Sequence, residues 1–448
     1  MKYFIFLLVL AAPARGAELS ITLRSAEQSA LAVSNQYRAA VQTAEGAAAA
    51  ARAAASPLSP RLSLEGSLRY NEIVPTIAMP PALGGARPLG DNWNYSIGPT
   101  ASWTFYDGGA LRSGHDAAVK MAAARSAEAE NLRRQVVLKA RTAYFRLQLA
   151  LERVYLIGEN LQLSQSQLRD ISMGAKAGTR SRLDEIRARQ ETLSRRRDLL
   201  RARADLSAEL RDFAFITGLD LPDGASLPMD ARLAGIDLGD GQEPGLYLKA
   251  EVYTEILSRM LPAADGNMDK ALPSVRAAEN SVLAYKAFAA GYRAGKLPRL
   301  TLGARSSLDY PNGPNLYSFM QNSASLSLSL PLFESGSSAE KVRENELNAG
   351  AAEERRSETA LLAAKDFSKS LDAYNALLAE QAINIDSVDD AAEASRLAYD
   401  AYKAGGGTWL DVESANLREL EAKTTAASAN AEILLRLAVL DSLDGAVK

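Results

Sequence analysis

At 448 residues the chain could hold two or three ordinary globular domains, and its formal net charge of −3, from 51 basic and 54 acidic residues, leaves no electrostatic footprint for a nucleic-acid partner. It contains no cysteine, which excludes a disulfide framework, a thiolate metal site and a cysteine-borne acyl anchor. No apolar run reaches the roughly 18 residues of a membrane-crossing helix, so insertion into a bilayer would have to be by β-strands.

Lys2, the apolar run Tyr3 to Ala12 and the small-x-small site Ala14-Arg15-Gly16 read as a secretory signal over residues 1–16, with the mature chain beginning near Ala17. A helical stretch follows in which Ala44 to Ala55 allows close backbone approach. Two segments of period two come next, over 61–70 and 92–105. Leu62, Leu64, Leu68 and Tyr70 interleave with Ser63, Glu65, Ser67 and Arg69; Trp93, Tyr95, Ile97, Ala101, Trp103 and Phe105 interleave with Asn94, Ser96, Thr100, Ser102 and Thr104. Each is a strand with one apolar and one polar face. Lengths of roughly 10 to 13 residues suit a tilted strand crossing a bilayer better than a globular strand of about 5 or 6. A soluble sandwich that buries these apolar faces on each other is the alternative. Asn71 to Asp91, rich in Pro and Gly, reads as a surface loop.

From Gly109 to about Gly174 the pattern is helical. Val137, Ala140, Tyr144, Leu147, Leu151 and Val154 step by threes and fours, the period of a left-handed coiled-coil seam. A continuous helix there would run roughly 100 Å at about 1.5 Å per residue. It turns at glycines near 174–184 and returns as a second periodic helix, Leu183 to Ile216, so that residues 17–217 end in a helical hairpin. Residues 218–273 break the pattern with Leu221-Pro222-Asp223-Gly224 and a short helical stretch around Leu246 to Met260. They read as a linker domain packed against the middle of the helices.

Residues 274–448 repeat the plan. Strands are expected over 299–310 and 322–333, joined by the loop Pro311 to Met320. A helix from Gly336 to Gly405 carries Phe367, Leu371, Tyr374 and Leu378 in its seam, and a turn at 404–411 leads to the return helix Leu410 to Leu440. Tyr106 and Phe333 lie 227 residues apart, and so do Ala177 and Ala404. A spacing kept from strand exit to helical tip marks a duplicated structural unit.

Four antiparallel strands cannot close a barrel, for which about eight is the practical minimum, and lipid tolerates no open edge. The chain is therefore expected to associate with copies of itself. Two copies give about 8 strands and a filled interior; three give about 12 and a lumen, which the Ser- and Asn-rich polar faces suit. The expected fold is mainly α with membrane β: a long α-helical coiled-coil barrel continued by a transmembrane β-barrel.

These residues resemble the TolC-like outer-membrane factors, the outer membrane efflux protein family of tripartite efflux and type I secretion systems. The likeness covers essentially all of the mature chain. It is carried by the duplication, the strand entries Pro60-Arg61-Leu62-Ser63-Leu64 and Pro298-Arg299-Leu300-Thr301-Leu302, the aromatic-acid strand exits Phe105-Tyr106-Asp107-Gly108 and Phe333-Glu334-Ser335-Gly336, and the tips Ala177 to Asp184 and Ala404 to Asp411. The resemblance implies a homotrimer in outer-membrane lipid, with a periplasmic helical barrel that docks a periplasmic adaptor and an inner-membrane pump at its tips. Carried over by position, Gly178, Thr179, Arg180, Leu183 and Asp184, with Gly405, Thr408, Trp409, Leu410 and Asp411, are the adaptor contacts. An ordinary glycine-bounded turn without a partner is the other reading.

In that family the closed tip is held by a tyrosine and an arginine and lined by acidic rings. Tyr402 matches the tyrosine and Asp411 one acid, whereas Gly407 stands in place of the arginine and Ser414 in place of the second acid. Tyr402, Asp411 and Ser414 are thus the gate positions. Arg180 or Arg182 paired with an acid is the expected substitute for the missing arginine.

The remaining signals carry no chemistry. His115 is the sole histidine, and Gly405-Gly406-Gly407-Thr408 lacks both the lysine and the preceding strand of a phosphate loop. Arg195-Arg196-Arg197, interrupted by periodic leucines, reads as a solvated helix face. No enzyme, cofactor or metal is expected. The expected function is the exit duct of a tripartite efflux system for small molecules; an outer-membrane component of type I protein secretion and a soluble coiled-coil structural protein are the alternatives.

Overall fold

The computed structural model describes residues 17–83, 85–221, 226–233, 244–264 and 267–444, so the signal segment 1–16 and the Pro222-Asp223-Gly224 cluster lie outside the described residues. In chain order, β1 (Ala17–Ile21), α1 (Leu23–Val33) and α2 (Asn35–Ala55) lead to β2 (Arg61–Tyr70). The two-residue strands β3 (Thr76–Ile77) and β4 (Arg87–Pro88) decorate the loop before β5 (Trp93–Tyr106). Helices α3 (Ala110–Lys176) and α4 (Arg182–Thr217) follow, then β6 (Met229–Asp230), β7 (Leu246–Ala250), α5 (Tyr253–Met260) and α6 (Pro273–Ala294). The chain closes with β8 (Arg299–Tyr310), β9 (Phe319–Ser329), α7 (Ser337–Lys403) and α8 (Trp409–Leu443). Helices α3 and α7 are each 67 residues long. Among the described residues no helix is long and apolar enough to cross a membrane.

One compact unit comprises the chain up to Arg38, Asn131–Leu272 and the chain from Ala360. Its core joins Phe145, Leu147 and Val154 of α3, Leu206 and Phe213 of α4, Ile256 of α5, and Leu434 and Leu437 of α8, all fully buried. The helical stretch expected over Leu246 to Met260 is half strand. Leu246 and Leu248 are buried while Tyr247 and Lys249 are not, a period of two, and β7 sits between β1 and β6 in a parallel sheet. That pairing brings Ala17 beside Leu246, 229 residues further along the chain (246 − 17), which a local helical pattern could not anticipate. Tyr144 of α3 secures it: its hydroxyl donates to the Ile21 carbonyl at 3.2 Å and accepts from the Glu251 amide at 3.0 Å. Burial pushes the Tyr144 pKa up to about 12, so the phenol stays neutral.

The second unit comprises Ala39–Glu130 and Pro273–Thr359 and holds a four-stranded antiparallel sheet in the order β2-β5-β8-β9. Its three ladders share one register logic. Leu62 pairs with Ala101 and Ala101 with Ala304; Leu68 pairs with Tyr95 and Tyr95 with Tyr310; Leu300 and Leu302 pair with Leu328 and Leu326. Directly opposed residues lie on the same side of a sheet. The apolar positions of all four strands therefore make one continuous face. Among the described residues no second sheet buries it: Leu62, Leu64 and Leu328 are 74, 72 and 68 % exposed. A sandwich formed within one copy of the chain is thereby removed.

Two boundaries differ from the alternation. The strand expected over 322–333 runs over Phe319–Ser329, because its partner β8 begins at Arg299, opposite Ser329, and Pro331 has no N–H to pair. At the foot of β5 the register slips between Thr104 and Tyr106, so Tyr106 and not Phe105 meets Leu300. Gly98 is required where β5 crosses β8: a Cβ there would lie 2.0 Å from the Ser306 carbonyl oxygen. The acid of the first strand exit is an N-terminal cap, since Asp107 accepts from the amides of Gly109 at 2.9 Å and Leu111 at 2.6 Å as α3 starts.

Candidate functional site

The helical tips belong to the first unit, and each is built from a helix end, a left-handed glycine and a new cap. At the end of α3 the amides of Thr179 and Arg180 both turn back to the Gly174 carbonyl, at 2.8 and 3.2 Å, over Gly178 with φ +78°. The Ser181 hydroxyl then caps α4 by accepting from Leu183 N at 3.0 Å. At the end of α7 the Gly406 amide returns to the Ala401 carbonyl at 2.9 Å over Gly405 with φ +83°. Thr408 and Asp411 close a reciprocal capping box on α8. The positive φ at Gly178 and Gly405 is the conformation that only glycine adopts without strain.

An apolar cluster fills the space between the two turns. Ile171 of α3, Ala188 of α4, Tyr402 of α7, and Trp409 and Val412 of α8 are all buried within it. Trp409 was expected as an adaptor contact, but it is 1 % exposed and stacks edge-on against Tyr402 at 5.5 Å. An indole at the first turn of an amphipathic helix is the largest apolar group available to close the hairpin ends, and the fold uses it inward. Leu183 and Leu410, at 53 and 59 % exposure, are left outside, as are Met173 and Ile186 beside them on the first hairpin.

The gate candidates fall in two environments. Tyr402 is buried; its hydroxyl points at Asp184 over a long 3.4 Å, and desolvation raises its pKa. Asp411 and Ser414 are exposed on α8. Asp411 is held below its ordinary pKa by the hydrogen bonds from Thr408. Arg182 pairs with Glu185 on its own helix. Among the described residues Arg180 pairs with no acid: it donates to the carbonyls of Tyr402 at 2.9 Å and Lys403 at 2.7 Å, with its guanidinium 4.5 Å from the Tyr402 ring centre. Arg180 thus ties the first hairpin to carbonyls at the C-terminal end of α7.

Above the apolar cluster lies a buried polar layer that the sequence reading missed. It takes one residue from each helix: Gln167 from α3, Glu191 from α4, Ser395 from α7 and Asn416 from α8, all at most 5 % exposed. Asn416 is the hub. It donates to Gln167 Oε1 at 3.0 Å and more weakly to Glu191 Oε1 at 3.5 Å, and accepts from the Ser395 hydroxyl at 2.9 Å. Desolvation raises the Glu191 pKa, opposed by the Asn416 hydrogen bond and Arg195. The available signal was Asn416 itself, an amide four residues beyond Val412 on the buried stripe of α8. Among the described residues no group of acidic or histidine side chains could hold a metal ion.

The outer membrane efflux protein family model matches residues 23–219 and 270–446. No curated protein sequence matches the chain. Among solved structures, CusC is 17 % identical with a TM-score of 0.71, covering 94 % of this chain and 92 % of its own. The VceC outer membrane protein of Vibrio cholerae is 20 % identical with a TM-score of 0.70, covering 95 % and 97 %. The open state of the MtrE outer membrane channel of Neisseria gonorrhoeae is 21 % identical with a TM-score of 0.70, covering 94 % and 88 %. At these identities the likeness establishes the fold, that of outer-membrane channels with an α-helical and a β-barrel part. The two blocks of the family match span both halves of the duplication and leave out the β6–α5 insertion, and on that match the chain belongs to the outer membrane efflux protein family, whose members are channels and not enzymes.

Proposed function

We propose that the chain is the outer-membrane exit duct of a tripartite efflux system, conducting small molecules delivered by a pump across the periplasm. The carrying observation is the sheet of the second unit: one face is apolar but for the opposed pair Ser306 and Asn322, its leucines are exposed, and both outer strands, β2 and β9, have a partner on one side only. Three copies pairing β9 to β2 would supply twelve strands, close every edge and turn the apolar face to lipid. The tips would then receive a periplasmic adaptor through Leu183, Leu410 and the glycine turns at Gly178 and Gly405. Thr179, Arg180, Asp184, Thr408 and Asp411 would frame that surface.

Mass determination and single-channel recording on the detergent-extracted protein test the reading. A detergent-stable trimer with discrete conductance is expected. A water-soluble monomer or dimer without conductance overturns it and favours a coiled-coil scaffold.

A further inference from the structure

The polar face of the four-stranded sheet carries an unbalanced charge. The ladders that put the leucines on one side put Arg61, Glu65 and Arg69 of β2 on the other, together with Arg299, Arg305 and Asp309 of β8. On this face β5 and β9 contribute no charge; their residues there are chiefly Ser and Thr. Four arginines therefore face two carboxylates. Arg305 and Asp309 are held together at one hydroxyl: Arg305 donates to Ser96 Oγ at 2.7 Å, and Ser96 donates to Asp309 Oδ1 at 2.5 Å. Arg61, Arg69 and Arg299 are exposed and make no ion pair among the described residues. Arg61 and Arg299 open their strands and Arg69 stands one residue from the far end of β2, so positive charge is present at both ends of the sheet.

We infer that the strand-lined part of the pore favours anions over cations, so that the duct concentrates anionic solutes at its outer end. The inference rests on the channel reading, in which the apolar face meets lipid and the polar face lines water. Every copy adds the same excess of two positive charges. A low-dielectric wall focuses that field into the bore, and it reaches about 8 Å before physiological salt screens it.

The absence of native cysteine makes the field measurable even with the tips closed. Ser327→Cys, on the polar face opposite Thr301, places a single thiol in the pore of the full-length protein in outer-membrane vesicles. Its reaction with an anionic and a cationic methanethiosulfonate is timed, each rate being divided by that with a small thiol in solution. The anionic reagent is expected to win severalfold at low salt, and the preference is expected to fade at high salt. Arg61→Ser, Arg69→Ser and Arg299→Ser together leave Arg305 against Glu65 and Asp309 and should turn the preference cationic, whereas the three Arg→Lys changes should preserve it. Equal rates in the otherwise native chain, or a cationic preference, overturn the inference. Leu326→Cys separates the two readings: on the lipid side it should be unreactive to both reagents, and labelling as fast as Ser327→Cys would overturn the channel reading itself.

Discussion

Arg180, on the turn of the first hairpin, caps the end of the second hairpin's ascending helix at the Tyr402 and Lys403 carbonyls. This joins the two tips by a planar, forked donor laid against the negative end of α7. A carboxylate partner would have fixed the contact to one opposing residue. Backbone carbonyls fix it to the helix end, whatever side chains the turn carries.

Removing that cap should loosen the tip without dismantling the assembly. Arg180→Ala is expected to cost about 1 kcal/mol locally, discounted for the solvent that reaches one of the two bonds. Hydrogen exchange at Gly405 and Gly406 should accelerate several-fold, while exchange in the α3–α8 core around Leu434 stays unchanged.

Trp409 and Leu410 are adjacent and should behave oppositely. Trp409→Ala empties the tip cluster and is expected to destabilise it by about 3–5 kcal/mol. The indole N–H has no partner among the described residues, so Trp409→Phe should cost about 1 kcal/mol or less. Leu410→Ala should leave thermal stability alone and lower crosslinking to a periplasmic adaptor. Lost adaptor crosslinking in a stably folded Trp409→Phe, with Leu410→Ala unaffected, would reverse these roles.

The polar layer should make the tip more stable in mild acid. A carboxyl whose folded pKa is raised above 4.5 binds protons more readily in the packed state, so its contribution is complete below that value and is lost as pH rises through the raised one. The groups facing Glu191 are Arg195 on its own helix, Gln167 on α3, and Asn416 and Glu413 on α8. Hydrogen exchange at the tip, each rate divided by that of an unprotected amide at the same pH, is expected to quicken between weakly acidic and alkaline buffer. Glu191→Gln should flatten that dependence. A pH dependence that survives Glu191→Gln assigns the effect elsewhere.

Asp411 has two separable roles to test. Asp411→Ala removes half of the α8 capping box, so exchange of the first-turn amides should quicken. If its exposed carboxylate also lines the pore entrance, blockade by multivalent cations in planar bilayers should weaken. Unchanged blockade would leave Asp411 a cap and nothing more.

What could be read from the sequence was what repeats locally. Lipid on one side and water on the other impose a strict alternation, so Leu62-Ser63-Leu64 and Leu326-Ser327-Leu328 declare strands without help from their partners. The seam from Val137 to Val154 likewise declares its helix. What escaped depends on residues far apart in the chain. The strand at Leu246 is held by Ala17; the direction of Trp409 is set by Tyr402 and Ile171; Gln167, Glu191, Ser395 and Asn416 are polar letters on four helices whose meeting no local period encodes. Arg180 was singled out by the reasoning that an arginine was missing, but its carbonyl partners carry no side-chain signature.

The unpaired margins of β2 and β9 have a genetic consequence. If a ring closes only when every subunit offers both margins, one defective copy spoils the subunits it joins. A chain with proline at the β9 positions whose N–H groups point away from β8 could still offer β2 to a sound neighbour and would leave the ring with a gap. Co-expressed with the normal chain, such a subunit should act as a poison, lowering duct function well below the fraction of normal protein in the cell.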